Sequence, residues 1–175
     1  MEDGDIAREL AAAVGQTLTA EYLTFLDGLP ARPTLGDGYG PVLDFAGRQW
    51  RPFDRRQLAE PVPGRKRDVP VPYAHQTARE AAHLRAADAQ HNGEASSELV
   101  EQGFTLDRLA RGFCVGDDGN GEPVFVDAES GGVYVYYHDG MDVELVAGSL
   151  DELVVGSQDW LGDEDAPDTA ADGGE

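Results

Sequence analysis

Four segments within residues 112–147 alternate between apolar and other residues with a period of two, and this alternation constrains the fold more than any other feature. The segments are 112–116, 123–127, 132–138 and 142–147. Successive side chains of a β-strand point to opposite faces, so this period is typical of strands. Turns rich in Gly, Asp and Ser separate the segments, and short turns join antiparallel neighbours. The pattern therefore predicts a four-stranded antiparallel meander.

The remainder of the chain predicts helices and two further short strands. Residues 41–53 alternate around a turn at 46–48, which is typical of a pair of short strands. Residues 73–91 are rich in alanine and other strong helix formers, which favours a long helix ending at Asn92 and Gly93. Together with the meander, these elements predict an α+β domain with a single antiparallel sheet of about four to six strands, flanked by helices.

Polar residues at helix starts place the shorter helices. A side-chain oxygen at the N-cap accepts a hydrogen bond from a free backbone N–H of the first turn. A Gln or Glu three residues later completes a capping box, as Gln57 does for Asp54 and Glu152 does for Ser149. The predicted N-caps are Thr19, Asp54, Thr105 and Ser149.

The sequence predicts one domain at residues 1–161, followed by a tail at 162–175. Residues 5–14 have a helical apolar period. Residues 60–72 contain four prolines and the one basic cluster, at 65–67, and proline restricts both itself and its predecessor. We therefore expect an extended connector there. The tail has six acidic residues and no basic residue, so we expect disorder.

The charge of the chain is strongly negative. It has 34 Asp and Glu residues against 13 Lys and Arg, a formal net charge of -21, and the charge is still -15 without residues 162–175. Such a surface repels nucleic acid and anionic lipid, because both are polyanions, and it attracts basic partners. The composition therefore predicts neither a nucleic-acid nor a membrane partner. An acidic surface also serves solubility alone, and that alternative stays open.

The number of cysteines and the lack of long apolar runs predict where in the cell the protein resides. The one cysteine, Cys114, excludes a disulfide within the chain and is typical of a reducing cytoplasm, where we expect the protein to reside. The first residues lack the basic and apolar regions of a signal peptide, and no apolar run is long enough to span a membrane. Cys114 has no His or Asp beside it in sequence, which favours a structural thiol over a nucleophile.

The stretch GDDGNGEPVFVD, residues 116–127, raises the question of an ion site. A calcium loop beginning at Asp118 would need glycine at its sixth position, which is Pro123 here. A phosphate loop needs a lysine and a following helix, and this stretch has neither. A turn accounts for every residue, because glycines supply positive φ and Asp side chains bond their own backbone. We therefore predict a tight turn.

No set of residues in the sequence predicts a metal or a cofactor. His75, His83 and His91 recur every eight residues, which spreads them around a helix and does not align them on one face. Glu80 and His83 form a single Glu-x-x-His pair, whereas a di-iron bundle needs two such pairs and two further glutamates. We expect no cofactor, no metal and no enzymatic activity.

Aromatic residues cluster on the third segment of the meander. By alternation Tyr134, Tyr136 and His138 share one side, and Val133, Val135 and Tyr137 share the other, which we expect to contact the helices. Tyrosine-rich faces are common at protein interfaces, so the first side is a candidate partner surface. A face packed beneath the 60–72 connector would have the same sequence pattern, and both interpretations stay open.

The order of these motifs resembles the SUKH superfamily. LTAEYLTFLDGL (18–29) is similar to that family's first conserved helix, usually Leu-Pro-x-x-Tyr-x-x-Phe-Leu, with Thr19 where proline is common. GFCVGDDGNGEPVFVDAESGGVYVYYHDG (112–140) resembles the family core of apolar strand, Gly/Asp turn, strand ending in Asp, and aromatic strand. SLDELV (149–154) resembles its closing helix. The resemblance covers most of residues 18–155.

This resemblance implies a fold and a role. SUKH proteins are α+β domains with one antiparallel sheet flanked by helices, and most bacterial members are thought to be immunity proteins that neutralise toxins, often nucleases. A fungal relative is a regulatory hub. The resemblance implies a non-catalytic binding protein that neutralises a toxin. The acidic charge favours a basic toxin, and we expect the mechanism to be occlusion. A regulatory or scaffold protein with an endogenous partner is the alternative.

The candidate contact surface combines aromatic and acidic residues at one end of the meander. It favours a basic protein partner, because tyrosine and tryptophan are common at interfaces and carboxylates attract basic groups. A metal hydrolase using Asp117, Asp118 and His138 is the enzyme alternative. Oligomeric state is left open. The predicted partner-binding residues are Trp50, Asp117, Asp118, Tyr134, Tyr136, His138 and Asp139.

Overall fold

The computed structural model describes residues 18–29, 41–59 and 72–159. The predicted helix at 5–14, the predicted tail and nearly all of the predicted connector lie outside these residues.

The described residues form one antiparallel sheet of seven strands in the order β6-β5-β4-β3-β2-β1-β7. The predictions of an α+β fold and of one antiparallel sheet are confirmed. The number of strands exceeds the predicted four to six, because a strand after the last helix pairs with β1. The strands are β1 (Leu43–Phe45), β2 (Arg48–Pro52), β3 (Phe113–Asp117), β4 (Pro123–Val126), β5 (Val133–Tyr137), β6 (Asp142–Ala147) and β7 (Gln158–Asp159).

Helices precede β1, separate β2 from β3 and follow β6. The predicted long helix begins with a 3-10 turn at Tyr73–His75 and ends at Gln90, one residue before the predicted end. Among the described residues, no helix is both long and apolar enough to cross a membrane. The α-helices are α1 (Ala20–Gly28), α2 (Arg55–Ala59), α3 (Gln76–Gln90), α4 (Ser97–Glu101), α5 (Leu106–Ala110) and α6 (Leu150–Gly156).

The predicted N-caps are confirmed by their hydrogen bonds. Ser149 accepts from the N–H of Glu152, whose carboxylate accepts in turn from the N–H of Gly148. Asp54 and Gln57 exchange two hydrogen bonds of the same kind. Thr19 and Thr105 likewise accept from the first turns of α1 and α5. These bonds satisfy N–H groups that a helix leaves free, so local sequence fixes where each helix begins.

Helices cover both faces of the sheet. On one face, Tyr22 of α1 packs edge-on against Phe113, with ring centroids 6.2 Å apart, and Thr19 bonds Asp151 of α6 at 2.5 Å. On the other face, Thr77 of α3 donates to the carbonyl of Gly112 at 2.9 Å. Helices therefore lie on the opposite face as well as on the Val133 side of the sheet, because α3 contacts β3 and β4.

The sheet is curled. Arg48 of β2 donates to the hydroxyl of Tyr137 at 2.9 Å and pairs with Glu144 of β6, although three strands separate β2 from β6. The curl brings distant strands together and leaves α1 in the concavity, where Phe25 stacks on Trp50 with centroids 5.9 Å apart.

A buried ion pair ties α5 to the turn between β4 and β5. The carboxylate of Asp127 is fully buried and accepts from Arg108 at 3.0 Å and 2.6 Å. Ser130 donates to it through both its N–H (2.9 Å) and its hydroxyl (2.6 Å). The guanidinium of Arg108 also lies 4.1 Å from the ring centroid of Phe104. Burial raises the pKa of Asp127, but the hydrogen bonds from Arg108 and Ser130 outweigh it and hold that pKa well below its usual range.

Candidate functional site

The turn between β3 and β4 is built by its own aspartates. Asp117 accepts a hydrogen bond from the N–H of Gly119 at 2.7 Å, and Asp118 accepts from the N–H of Glu122 at 3.1 Å. Gly119 and Gly121 adopt positive φ of +93° and +94°, which residues with a Cβ rarely do. The tight-turn prediction for this stretch is confirmed.

A histidine joins this turn to the one between β5 and β6. Nδ1 of His138 lies 2.6 Å from Glu122, and its Nε2 lies 3.1 Å from Asp139. The backbone N–H of His138 also donates to Glu122 at 3.3 Å. The two turns therefore form one continuous surface, which we name the acidic turn surface: Asp117, Asp118, Glu122, His138 and Asp139.

The electrostatics of this surface favour positively charged ligands. The hydrogen bond and charge of Glu122, with smaller contributions from Asp139 and Glu80, raise the pKa of His138 above its ordinary value. The side chains of His138 and Asp139 are 61% and 92% exposed. When the imidazole is protonated, its single charge offsets only part of the surrounding negative charge. The surface can thus accept salt bridges from lysine or arginine without losing the bonds that shape it.

The structure brings together four of the seven predicted contact residues. Asp117, Asp118, His138 and Asp139 all lie on the acidic turn surface. The other three are less accessible: Trp50 and Tyr136 are buried, and Tyr134 is half-buried.

Trp50 and Tyr136 are each 1% exposed, so neither belongs to a surface that a partner can contact. Trp50 lies on the face that carries α1, where its indole N–H donates to the hydroxyl of Ser157 at 2.9 Å. Tyr136 lies on the α3 face, and burial raises its pKa to about 12. Tyr134 is half-buried against Phe104, with centroids 5.1 Å apart. Of the two interpretations of the side that carries Tyr134, Tyr136 and His138, the open face is wrong for the two tyrosines, and His138 is exposed.

The other candidate chemical groups are dispersed. Cys114 is buried beside Thr77, and burial raises its pKa to about 12, so the thiol is neutral near pH 7. His75 is half-buried, and burial lowers its pKa, whereas His83 and His91 are exposed. Within 18–29, 41–59 and 72–159, no group of three or more His, Cys, Asp or Glu residues is arranged to hold a metal ion.

Glu122 is the functional candidate that the sequence did not single out. Its side chain is only 12% exposed, yet it contacts His138, which lies 16 residues further along the chain. The one available indication was its place inside the Asp- and Gly-rich turn. Its partner could not be inferred, because the contact depends on how the two turns approach each other.

Comparisons of the chain with protein-family models, curated proteins and solved structures find no match.

Proposed function

We propose that this chain is a non-catalytic binding protein whose acidic turn surface contacts a basic partner protein. The observation that carries the proposal is the pair of preformed turns, whose carboxylates are held by the protein's own backbone and by His138. A surface fixed before binding loses little conformational entropy on contact. The net charge of -21 steers a basic partner toward it.

The finer proposal is an immunity protein of the SUKH type that neutralises a bacterial toxin in the cytoplasm. The resemblance of residues 18–155 supports it, and so does the charge, because a nuclease toxin that holds nucleic acid presents basic residues. The mechanism is occlusion: the acidic turn surface covers the basic cleft that would otherwise hold the substrate. A protein that acts this way needs no reacting group of its own.

The test begins with the product of the gene directly upstream, because immunity genes commonly follow their toxin genes. Its association with this protein is measured by stopped flow at low and at physiological salt. In the double variant Asp118→Asn with Asp139→Asn, both turns keep an amide oxygen as acceptor, so shape is retained and two charges are lost. We expect the association rate at low salt to fall about tenfold.

The matched control is Glu21→Gln with Asp159→Asn, which removes two exposed charges from α1 and from β7, at the sheet edge opposite β6. We expect its association rate at physiological salt to change about twofold or less, because neither residue belongs to the acidic turn surface and the Debye length there is only about 8 Å. Equal decreases in association rate for the two double variants would show that the partner does not contact the acidic turn surface. An upstream product that does not bind at all would overturn the immunity proposal and favour an endogenous partner.

A further inference from the structure

The outer edge of β6 is the second surface on which the protein offers binding groups. Among the described residues, β6 is the last strand on its side of the sheet and pairs with β5 alone. The register along this pair is continuous from Tyr137↔Asp142 to Tyr134↔Leu145. In an antiparallel pair, backbone groups point alternately toward the partner strand and away from it. The direction of any one N–H in β6 therefore sets the directions of the others.

Gln102 sets that direction. Its side-chain amide accepts from the N–H of Val143 at 3.0 Å and donates to the carbonyl of Met141 at 2.9 Å. The N–H of Val143 thus points away from β5, and so do the N–H and carbonyl of Leu145, two residues further on. In the part of the chain that the structure describes, no group pairs with the outward N–H and carbonyl of Leu145 or with the carbonyl of Val143.

The surroundings of this edge are apolar and acidic. The Leu145 side chain is 56% exposed, and Val100 of the neighbouring helix α4 is 51% exposed. Asp142 on the strand and Glu98 and Glu101 on α4 are exposed carboxylates. A second copy of a chain with net charge -21 would bring like charges together at this edge, whereas a basic segment would pair with them.

We propose that the β6 edge binds an extended basic segment of a partner protein as an added strand. The segment's backbone pairs with the outward groups of Val143 and Leu145, next to the two bonds that Gln102 already makes. Apolar side chains at alternate positions pack on Leu145, and the intervening basic side chains face Asp142. This inference stands apart from the proposed function, because it concerns a different set of residues and any partner with such a segment.

The probe is a short peptide of alternating lysine and valine, acetylated and amidated at its ends. Its affinity for the full chain is measured by fluorescence anisotropy at physiological salt. The matched probe carries N-methyl groups on every second backbone amide, which keeps its charge but removes donors from one edge. We expect the methylated peptide to bind about tenfold more weakly. Equal affinities would mean attraction by charge alone and would overturn the proposal, as would failure of the parent peptide to bind.

A variant of the protein tests the same backbone pairing by changing the β6 edge, with the peptide kept the same. Leu145→Pro removes the leucine side chain and, from the backbone, only an outward N–H, since the bonds to β5 are made by the neighbouring residues. An edge strand tolerates such a proline. We expect about tenfold weaker peptide binding for Leu145→Pro but about threefold or less for Leu145→Ala, which keeps the N–H. Equal effects of the two substitutions would overturn the proposal.

Circular dichroism checks the fold of both variants, and if Leu145→Pro does not fold, the pair of peptides decides alone. Sedimentation of the protein without peptide completes the test. A dimer that Leu145→Pro dissociates would assign the edge to a second copy and overturn the basic-segment proposal, whereas a monomer supports it. The double variant Asp118→Asn with Asp139→Asn should keep the about tenfold ratio between the affinities of the two peptides, because both peptides carry the same charge. An unchanged ratio separates this edge from the acidic turn surface.

Discussion

His138 shows how one ionisable side chain can couple two loops. It faces Glu122 from the β3–β4 turn, Asp139 from its own turn, and Glu80 from α3 at longer range. All three are acidic, so each favours the protonated imidazole. Protonation therefore strengthens the contact that holds the acidic turn surface together.

A pH dependence of stability follows from this arrangement. The folded pKa of His138 is raised above the ordinary value of 6.5, so its contribution is fully present below about pH 6.5 and is lost as pH rises through the folded pKa. Because the side chain is 61% exposed, we expect less than about 1 kcal/mol. Urea unfolding of the unmodified chain and of His138→Gln, compared from pH 5 to 9, measures it. A difference that grows with pH would contradict the assignment.

Asp127, in contrast to the exposed His138, is a carboxylate with no exposed surface. In Asp127→Asn the guanidinium of Arg108 loses its buried counter-charge, so we expect a loss of about 3 kcal/mol in the free energy of unfolding. Glu129→Gln is the matched control, because Glu129 contacts the same arginine but is 49% exposed. We expect less than about 1 kcal/mol for it. Similar losses of unfolding free energy in the two variants would show that burial does not make the Arg108–Asp127 pair more important for stability than the exposed pair.

At the scale of elements, the close approach of β2 and β3 depends on one glycine. A Cβ at Gly116 would overlap the carbonyl oxygen of Arg51 and lie 3.0 Å from the ring of Trp50. Backbone cannot yield as a flexible side chain can, so we expect Gly116→Ala to destabilise the fold by about 2 kcal/mol or more. Gly28→Ala is the control, because nothing lies within 4 Å of its added Cβ. Thermal unfolding compares them, and equal melting temperatures would contradict this view of the strand contact.

Most elements could be predicted from the sequence because their causes are local. Alternation of side chains indicated β3 to β6, and capping residues such as Ser149 indicated where helices begin. β7 was not predicted, because Gln158 and Asp159 are both exposed and have no apolar pattern. They form a strand only through backbone pairing with Leu43 and Asp44.

The candidate site was predicted in part for a related reason. The carboxylates of the turn and the following His138 were recognisable from residue type and from Gly-rich surroundings. Trp50 and Tyr136 were assigned to the same surface because aromatic residues are common at interfaces. Residue type does not distinguish a buried aromatic ring from an exposed one, and the packing of α1 and α3 on opposite faces buries both. That packing depends on contacts between residues far apart in sequence.

For the molecule as a whole, net charge sets the response to salt. A net charge of -21 destabilises the compact state through self-repulsion, whereas surface ion pairs such as Arg85–Asp107 are weakened by salt. The excess of carboxylates makes repulsion the larger effect, so we expect the melting temperature at pH 7.5 to rise by about 3 °C when salt screens it. Differential scanning calorimetry in 10 and 300 mM sodium chloride measures the change.

The control for this prediction is the same pair of scans near the sequence pI of 4.3, where net charge approaches zero. There the rise should disappear, because little self-repulsion remains to be screened. A fall in melting temperature with salt at pH 7.5 would show that attractive ion pairs outweigh repulsion in this fold.

The pairing of β7 with β1 has a consequence for synthesis. β1 belongs to a hairpin that is translated early, yet its outer neighbour is made of residues 158 and 159. On the ribosome, the early hairpin must therefore wait with one side uncovered until more than a hundred further residues have been added. During that interval the nascent chain presents an open strand to chaperones and to other nascent chains, until β7 pairs with β1.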